Sequence, residues 1–258
     1  DYILVKQGGK INAVGTPDKP IVMTSEKEEP GAWGGIHICG RAHTNAEGGK
    51  GSSEIGGAVY GGNDDADNSG TLQYIRLEYT GFAFDEEHEA NGISFYGVGN
   101  GTIVDHCQAY KGSDDGFEFF GGSVNVSNLV AVSCSDDSFD WTEGWNGKGT
   151  NLVAYQEAES TLGYDCDCLM ECDNNGSNNA ATPVAHPVLK NLILVGNGGS
   201  KQGIRLRAGT EVEIDNAKVC GKGQPLTVET ALTENALKNG TSKLTNITLT
   251  SELSSKEG

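Results

Sequence analysis

The sequence predicts an all-β solenoid of stacked parallel strands, and two observations carry this prediction. A seven-residue pattern at 113–119, SDDGFEF, returns 22 residues later at 135–141 as SDDSFDW, and self-similarity at such a period is typical of stacked repeats. Asparagines recur at one register behind these strands, as expected for side chains that hydrogen-bond from rung to rung. The 38 glycines suit a chain rich in turns.

The rungs can be followed along the chain in order. Residues 2–25 form an opening coil, and each later rung carries an apolar–polar–apolar triplet whose middle residue faces outward. The triplets are Ile36-His37-Ile38, Ile93-Ser94-Phe95, Phe117-Glu118-Phe119, Phe139-Asp140-Trp141, Met170-Glu171-Cys172, Ile204-Arg205-Leu206 and Leu226-Thr227-Val228. The second strand of each rung predicts a buried, internal ladder of Asn128, Asn151, Asn191, Asn216 and Asn246. Residues 1–258 are therefore predicted to form a single domain of about eight coils.

A few segments interrupt or end the regular pattern. Residues 45–69 are a glycine-rich acidic insertion, 83–90 an acidic loop, and 173–187 a polar loop whose Pro183 and Pro187 exclude a ladder strand. Residues 229–241 have helix-like composition and predict a short helix or an end cap. A closing strand is expected at 242–250.

Several stretches, within about residues 31–220, give the chain a family resemblance. They are WGGIHICGRA, YGGNDDADNSGTLQYIRLEYTG, NGISFYGVGNGTIVDHCQ, SDDGFEFFGGSVNVSNLVA, DDSFDWTEGW, LMECDNNG and QGIRLRAGT. In these stretches and their spacing the chain resembles the right-handed parallel β-helix, or pectin-lyase-like, superfamily. More narrowly, it resembles exported β-helix proteins of Bacteroidetes and marine bacteria, most of which have no assigned function. The resemblance implies the fold and export, and it transfers no activity.

The composition argues against several classes of partner. Acidic residues number 36 against 18 basic ones, a formal net charge of −18, which disfavours nucleic acid and anionic membranes. No apolar run approaches transmembrane length. We expect a monomer that is secreted or anchored at the outer-membrane surface. An export signal is expected upstream of Asp1, because the chain opens directly in a strand without a polar cap.

The seven cysteines leave at least one thiol unpaired in a monomer. Cys107 and Cys172 fall at inward positions, where a buried free thiol is common. Cys166 and Cys168 crowd the same segment as Cys172, but their spacing departs from the CxxC pattern of zinc sites. Zinc is therefore the minor interpretation.

The middle residues of the triplets form an outward column that contains the candidate site. Strands stacked about 4.8 Å apart place Glu118, Asp140, Glu171 and Arg205 in line. Two carboxylates about 5 Å apart repel by roughly 3 kcal/mol at an effective dielectric near 20. A scaffold has no evident need for three acids in a row, so we assign the catalytic or binding role to these four residues.

Further candidate ligand-binding residues lie beside this column. Asp173 and Arg207 fall two positions further along their strands, where they predict a charge pair. Tyr96, Phe120 and Trp145 are the aromatic residues expected to offer stacking surface to a sugar. The alternation turns Trp141 inward, so Trp145 is the better candidate of these two tryptophans.

A calcium ion is the predicted cofactor. Asn63, Asp65, Asp67 and Ser69 alternate as oxygen ligands do in calcium loops, although the glycine and closing glutamate of an EF-hand are missing. A solvated turn explains the same residues equally well. The acidic turns of the repeat are a second candidate for the ion, but their aspartates suit the capping of turn amides better. These aspartates are Asp114, Asp115, Asp136 and Asp137.

Three functions remain open from the sequence. The favoured one is a surface module that binds glycans or a partner protein on the outward face, with calcium. The second is a polysaccharide-degrading enzyme: Glu118 with Asp140 suits a retaining glycosidase, Glu118 with Glu171 an inverting one, and the acids with Arg205 resemble a lyase. The Gly-His-Gly motif of polygalacturonases is absent. The third is a scaffold without a ligand.

Overall fold

The computed structural model describes residues 1–85 and 88–251, which form two long parallel sheets. The strands of the first sheet are, in spatial order, β1 (Ile3–Val5), β4 (Ile36–Cys39), β8 (Ile93–Tyr96), β10 (Phe117–Phe120), β12 (Phe139–Thr142), β14 (Met170–Cys172), β16 (Gln202–Leu206) and β18 (Gln224–Val228). The second sheet contains β2 (Ile11–Val14), β7 (Gly70–Glu78), β9 (Ile103–Tyr110), β11 (Asn125–Val132), β13 (Lys148–Tyr155), β15 (Val188–Val195), β17 (Glu213–Cys220) and β19 (Lys243–Leu249), with β3 (Ile21–Met23) beside β7. The predicted parallel β-helix is confirmed.

The hydrophobic core lies between the two sheets and is filled by the flanking residues of the triplets. Phe117 and Phe119 are buried, and their rings stack on the next rungs. The Phe117 and Phe139 centroids are 5.6 Å apart and those of Phe95 and Phe119 are 4.9 Å apart. Because successive strand residues point to opposite faces, this packing turns the middle residue of each triplet outward.

The register of the first sheet matches the predicted column. Glu118 pairs with Asp140, Asp140 with Glu171, and Glu171 with Arg205. Each of these pairs lies on adjacent strands, so the three acids follow one another at the spacing of a single strand.

The asparagine ladder exists, but its predicted burial is wrong. Asn151 donates to Asn128 at 2.8 Å, Asn191 to Asn151 at 3.0 Å, and Asn216 to Asn191 at 2.9 Å, yet these amides are half-buried or exposed on the outside. Asn246, the last of the set, donates to Asp215 and is also exposed.

The reason is a bend in the middle of each strand of the second sheet. Asn128 has a left-handed backbone with φ of 55°, and both it and Ser127 lie outside, between the buried Val126 and Leu129. The left-handed residue therefore adds a second consecutive outward side chain, which shifts the in–out alternation by one. Asparagine tolerates this conformation better than most residues do.

The insertion at 45–69 folds back over the first sheet. It contains a short 3-10 helix (Glu47–Gly49) and the antiparallel pair β5 (Gly51–Ser52) and β6 (Val59–Tyr60). Tyr60 stacks near Tyr96, with ring centroids 5.1 Å apart, and its hydroxyl donates to Glu143 at 2.8 Å. The insertion thus covers part of the outward face and is fastened to the turn after β12.

Two short helices complete the described chain. The first is α1 (Glu159–Leu162), and α2 (Ala231–Lys238) lies within the segment of helix-like composition, with Ala236 buried. Residues 173–187 contain no strand, and 242–250 contain β19. Among the described helices, none is long and apolar enough to cross a membrane. All seven cysteines, which fall in the described ranges, are buried and unpaired.

Candidate acidic site

An acidic cavity of about 360 Å³ opens where the chain enters the strands of the first sheet. Ten carboxylic side chains and one arginine line it: Glu54, Glu89, Asp114, Asp115, Glu118, Asp136, Asp137, Asp140, Asp167, Glu171 and Arg205. The predicted Glu118, Asp140, Glu171 and Arg205 all contribute. The repeat explains this concentration of charge, because each copy places a pair of acids before the strand and one acid on it.

The inner acid of each turn holds the next rung. Asp115 accepts a hydrogen bond from the Asp137 amide at 2.9 Å, and Asp137 accepts one from the Cys168 amide at 2.6 Å. Asn91 begins the series by accepting from the Asp115 amide at 3.2 Å. Asp115 and Asp137 therefore cap turn amides, as the sequence suggests, and they also line the cavity. Asp114 and Asp136 stand beside them on its wall.

The three acids of the column have unequal partners. Asn91 donates to Glu118 at 2.6 Å. Arg205 and Arg207 donate to Glu171 at 2.9 and 2.6 Å. Between them, the Oδ1 atom of Asp140 is buried without a hydrogen-bond partner in the described structure. No described residue therefore donates a hydrogen bond to this oxygen of the middle carboxylate.

Burial and mutual repulsion raise the pKa values across the cavity. Burial, reinforced by neighbouring carboxylates, raises the pKa of Glu118 and of Asp140 well above the ordinary carboxylic value. The same two causes raise the pKa of Asp114 to about 8, and burial raises that of Glu54 to about 7. Without a cation, the cavity therefore retains protons at neutral pH.

The carboxylates approach one another closely enough to share a metal ion. Four groups of three possible ligands have donor atoms within 4.8 Å of one another. They are Asp114/Asp115/Asp136, Asp115/Glu118/Asp140, Asp137/Asp140/Glu171 and Asp137/Asp167/Cys168. Three of the four offer only carboxylate oxygens, the ligands that calcium prefers. The groups overlap, and Asp140 belongs to two of them.

The predicted aromatic platform is wrong. Tyr96, Phe120 and Trp145 are only 0%, 8% and 1% exposed. The insertion covers Tyr96 and Phe120, and Trp145 folds back into the core, where its ring stacks on Phe119 at 4.1 Å. None of these three side chains can offer its face to a sugar.

Asp173 and Arg207 form the predicted charge pair. The Arg207 guanidinium donates to Asp173 at 2.7 Å and to Glu171 at 2.6 Å. The pair stands next to the cavity and shares Glu171 with it, so its described contacts orient the end of the acid column.

Both carboxylates of the predicted calcium loop have hydrogen-bond partners within the protein. Asp65 accepts hydrogen bonds from the amide and ring of His43, Asp67 accepts from the Arg41 amide at 2.8 Å, and Ser69 is buried. Asn63 is exposed to solvent. Both carboxylates therefore fasten the insertion, and the trios of possible acidic ligands found among the described residues lie at the acidic cavity instead.

Three residues of the cavity wall were missed by sequence reasoning. Asp167 stands three residues before its triplet, as Asp114 and Asp136 do, so the register of the repeat was a usable signal. Glu54 and Glu89 come from the insertion and from the loop before β8. Their sequence positions gave no sign that these segments reach the cavity.

Comparisons with known proteins identify the family of the chain but no individual protein close to it in sequence. No curated protein matches the chain in sequence. The structure is similar to the catalytic domain of a GH87 α-1,3-glucanase solved in complex with tetrasaccharides, with 10% identity and a TM-score of 0.29. That similarity covers 98% of this chain and 63% of the glucanase domain, so this chain spans less than two thirds of it. The model of the pectate-lyase-like β-helix domain matches residues 1–258, and the chain belongs to that family.

Proposed function

We propose that the acidic cavity binds calcium and, through the bound ion, a polysaccharide that carries carboxylate groups. The observation that carries this proposal is the row of overlapping carboxylate trios around Asp140, whose buried Oδ1 lacks a partner among the described residues. A bound cation would be the positively charged partner that these carboxylate oxygens lack. The pectate-lyase-like family supports an acidic polysaccharide as the ligand.

The chemistry of the cavity favours calcium over softer ions. Calcium accepts six to eight oxygen ligands at about 2.3–2.6 Å and tolerates irregular geometry. Adjacent strands about 4.8 Å apart can present carboxylates to both sides of such an ion. When calcium binds, it displaces the protons that the cavity otherwise retains, so its affinity increases with pH.

The net charge makes the cation necessary for an acidic ligand. With a net charge of −18 the protein repels a polyanion, and ten carboxylic side chains line the cavity itself. A calcium ion with unfilled coordination positions can accept a carboxylate of the polysaccharide. Binding therefore requires calcium and is lost when a chelator removes it.

Calorimetry tests the proposal directly. We expect calcium to bind the wild-type protein and Asp18→Asn, a control at an exposed acid of the opening coil, and to bind Asp140→Asn at least ten-fold more weakly. Polygalacturonate and alginate are then added with calcium or with a chelator. Calcium binding without glycan binding would leave a structural ion on a scaffold, and no calcium binding at all would overturn the proposal.

Hydrolysis is the second candidate, favoured by the unequal environments of Asp140 and Glu171. Their oxygens lie within 4.8 Å, close to the roughly 5–5.5 Å of retaining glycosidases. Asp140, whose pKa is raised well above the ordinary carboxylic value, is the better candidate to protonate the leaving oxygen. Burial also raises the pKa of Glu171, but Arg205 and Arg207 oppose this shift, so Glu171 is the better candidate for the carboxylate nucleophile. Sugar release that survives a chelator and is lost in Asp140→Asn would establish this activity.

The lyase alternative has less support. A lyase needs an arginine free to remove a proton, whereas Arg205 is bound to Glu171 and by two contacts to Glu229. These contacts raise the pKa of Arg205, so less of the neutral guanidine that would accept the proton is present.

A polysaccharide ligand implies a site at the cell exterior. We therefore propose a secreted or outer-membrane-anchored, monomeric protein. Protease treatment of intact cells should remove a surface-anchored form, and light scattering of the purified protein should give the mass of a monomer.

A further inference from the structure

Three aromatic side chains form an exposed patch near the acidic cavity. Tyr2, Phe82 and Phe84 are 39%, 43% and 47% exposed. The Phe82 and Phe84 ring centroids are 4.9 Å apart, those of Tyr2 and Phe84 are 5.6 Å apart, and both pairs meet edge to face. We call these three residues the aromatic patch.

The patch lies on the same edge of the first sheet as the acidic turns. Tyr2 immediately precedes β1, Phe82 and Phe84 precede β8, and Asp114 precedes β10, all in one parallel sheet. The two segments meet directly: Ser113, next to Asp114, donates its amide to Thr80 at 3.0 Å and its hydroxyl to Gly81 at 2.5 Å, so the residue before Phe82 contacts the turn that bears Asp114. The patch therefore continues the line of the cavity toward the N-terminal end of the solenoid.

The patch and the cavity also share two segments of the chain. Glu89, on the cavity wall, belongs to the same loop as Phe82 and Phe84. Glu54, which also lines the cavity, is two residues from Gly56, where an added Cβ would lie 3.2 Å from the Tyr2 hydroxyl. A ligand that leaves the cavity in this direction meets the aromatic rings next.

The fold does not account for the exposure of these rings. Apolar surface left in water is unfavourable by about 25 cal/mol per Å², and contiguous exposed patches mark binding sites more often than isolated residues do. The phenylalanine rings of the core stack in parallel and are buried, whereas the three rings of the aromatic patch are exposed to solvent.

We propose that Tyr2, Phe82 and Phe84 form a sugar-binding subsite that holds a pyranose ring of the same polysaccharide whose carboxylates meet calcium in the cavity. This inference rests on the proposed function. A pyranose has a face of C–H groups that packs on an aromatic ring, while its hydroxyls stay in water at the rim. The aromatic patch supplies an apolar contact, and the cavity with its calcium ion supplies an ionic one. Together they favour the binding of a carboxylated polysaccharide over that of a small anion.

The test compares oligosaccharides of increasing length on calcium-loaded protein. In Tyr2→Ala/Phe84→Ala we expect calcium affinity to be unchanged and affinity for long oligouronates to fall at least ten-fold. Affinity for the shortest oligomer, which fills only the cavity, should be unchanged. Phe84→Tyr should retain wild-type affinity, and Tyr155→Ala, at an aromatic residue 47% exposed on the second sheet, serves as the matched control.

The outcomes separate the two proposals. Equal affinity of the double variant and the wild type for long oligomers would overturn the subsite and leave the proposed function standing. A wild-type protein that binds calcium but no glycan of any length would overturn both, and the patch would then be tested as a protein-docking surface. An equal loss in the Tyr155→Ala control would also overturn the subsite, because the effect would not be specific to the patch.

Discussion

Two stacked columns of polar side chains run along this molecule, and they behave oppositely. On the second sheet, the asparagines hydrogen-bond to one another at 2.8–3.0 Å, each amide donating to the rung before it. On the first sheet, Glu118, Asp140 and Glu171 stand on adjacent strands in the same way, but no hydrogen bond joins one of these acids to another in the described structure.

The difference lies in the chemistry of the side chains. An amide both donates and accepts, so a row of identical amides satisfies itself. An ionised carboxylate only accepts, so a row of identical acids repels and leaves its middle member without a donor. In a protein built from repeats, the fold alone explains a repeated amide, whereas a repeated acid needs a proton or a bound cation to offset its charge.

The pH dependence of stability gives the largest expected contrast. With a chelator present, the free energy of unfolding should fall by a few kcal/mol between pH 5 and pH 8. Asp114, with its pKa raised to about 8, and Glu54, raised to about 7, bind protons more tightly folded than unfolded, so their stabilisation is present at acidic pH and is lost as the pH rises through these values. Urea denaturation across this range measures it.

Calcium provides the control for this experiment. Saturating calcium should flatten the pH profile, since the ion replaces the protons. A stability that rises with pH in the presence of chelator would contradict the assigned environment of the acids.

Breaking the amide column should have the next largest effect. Asn151→Leu is expected to lower the free energy of unfolding by about 1–3 kcal/mol. Asn128 loses its donor, Asn191 loses its acceptor, and leucine is strained at a φ of 57°. Asn151→Gly accepts this φ and removes only the amide, so it should lose less. Equal losses in the two variants would assign the effect to the amide and not to the backbone.

Relieving the acid column should act in the opposite direction. Asp140→Asn should raise the free energy of unfolding at pH 7 by about 1 kcal/mol in chelator, because a neutral amide neither repels its neighbours nor needs a proton. Thermal unfolding checks this. A loss of more than about 2 kcal/mol would instead make Asp140 part of the structural framework.

The end of the amide column should matter least. Asn246 donates to Asp215 at 2.8 Å and is exposed. Asn246→Gly keeps the left-handed backbone and should cost about 0.5 kcal/mol or less. If Asn246→Gly lowers the free energy of unfolding as much as Asn151→Gly does, then an amide with neighbours on both sides contributes no more to stability than one at the end of the ladder.

The sequence was sufficient to predict those features of the structure that depend on residues close together in the chain. The in–out alternation within each triplet and the spacing of the two SDD turns placed Glu118 opposite Asp140 correctly. Parallel stacking converts a linear repeat into a spatial column, so the chain order alone determines which acids meet.

The sequence was insufficient where distant segments or unusual backbone angles intervene. Strict alternation would place Asn128 inward, but its left-handed backbone interrupts the alternation. Asparagine permits this conformation, yet its presence in the sequence does not predict it. The burial of Tyr96 depends on Tyr60, 36 positions earlier in an insertion whose path the local pattern does not encode. Glu54 reaches the cavity by the same route.

The 22-residue repeat has a consequence for how such a site can change over generations. In a solenoid each rung contacts only its neighbours. Duplicating residues 113–134 would insert one more rung with its own acidic turn, one more acid in the column and one more asparagine in the ladder, and each strand would keep a neighbour in the same register. The insertion, whose Tyr60 contacts both Tyr96 and Glu143, would have to adjust to the added rung. A binding site of this kind can lengthen or shorten by whole units of ligand, and a single unequal recombination event suffices for each step.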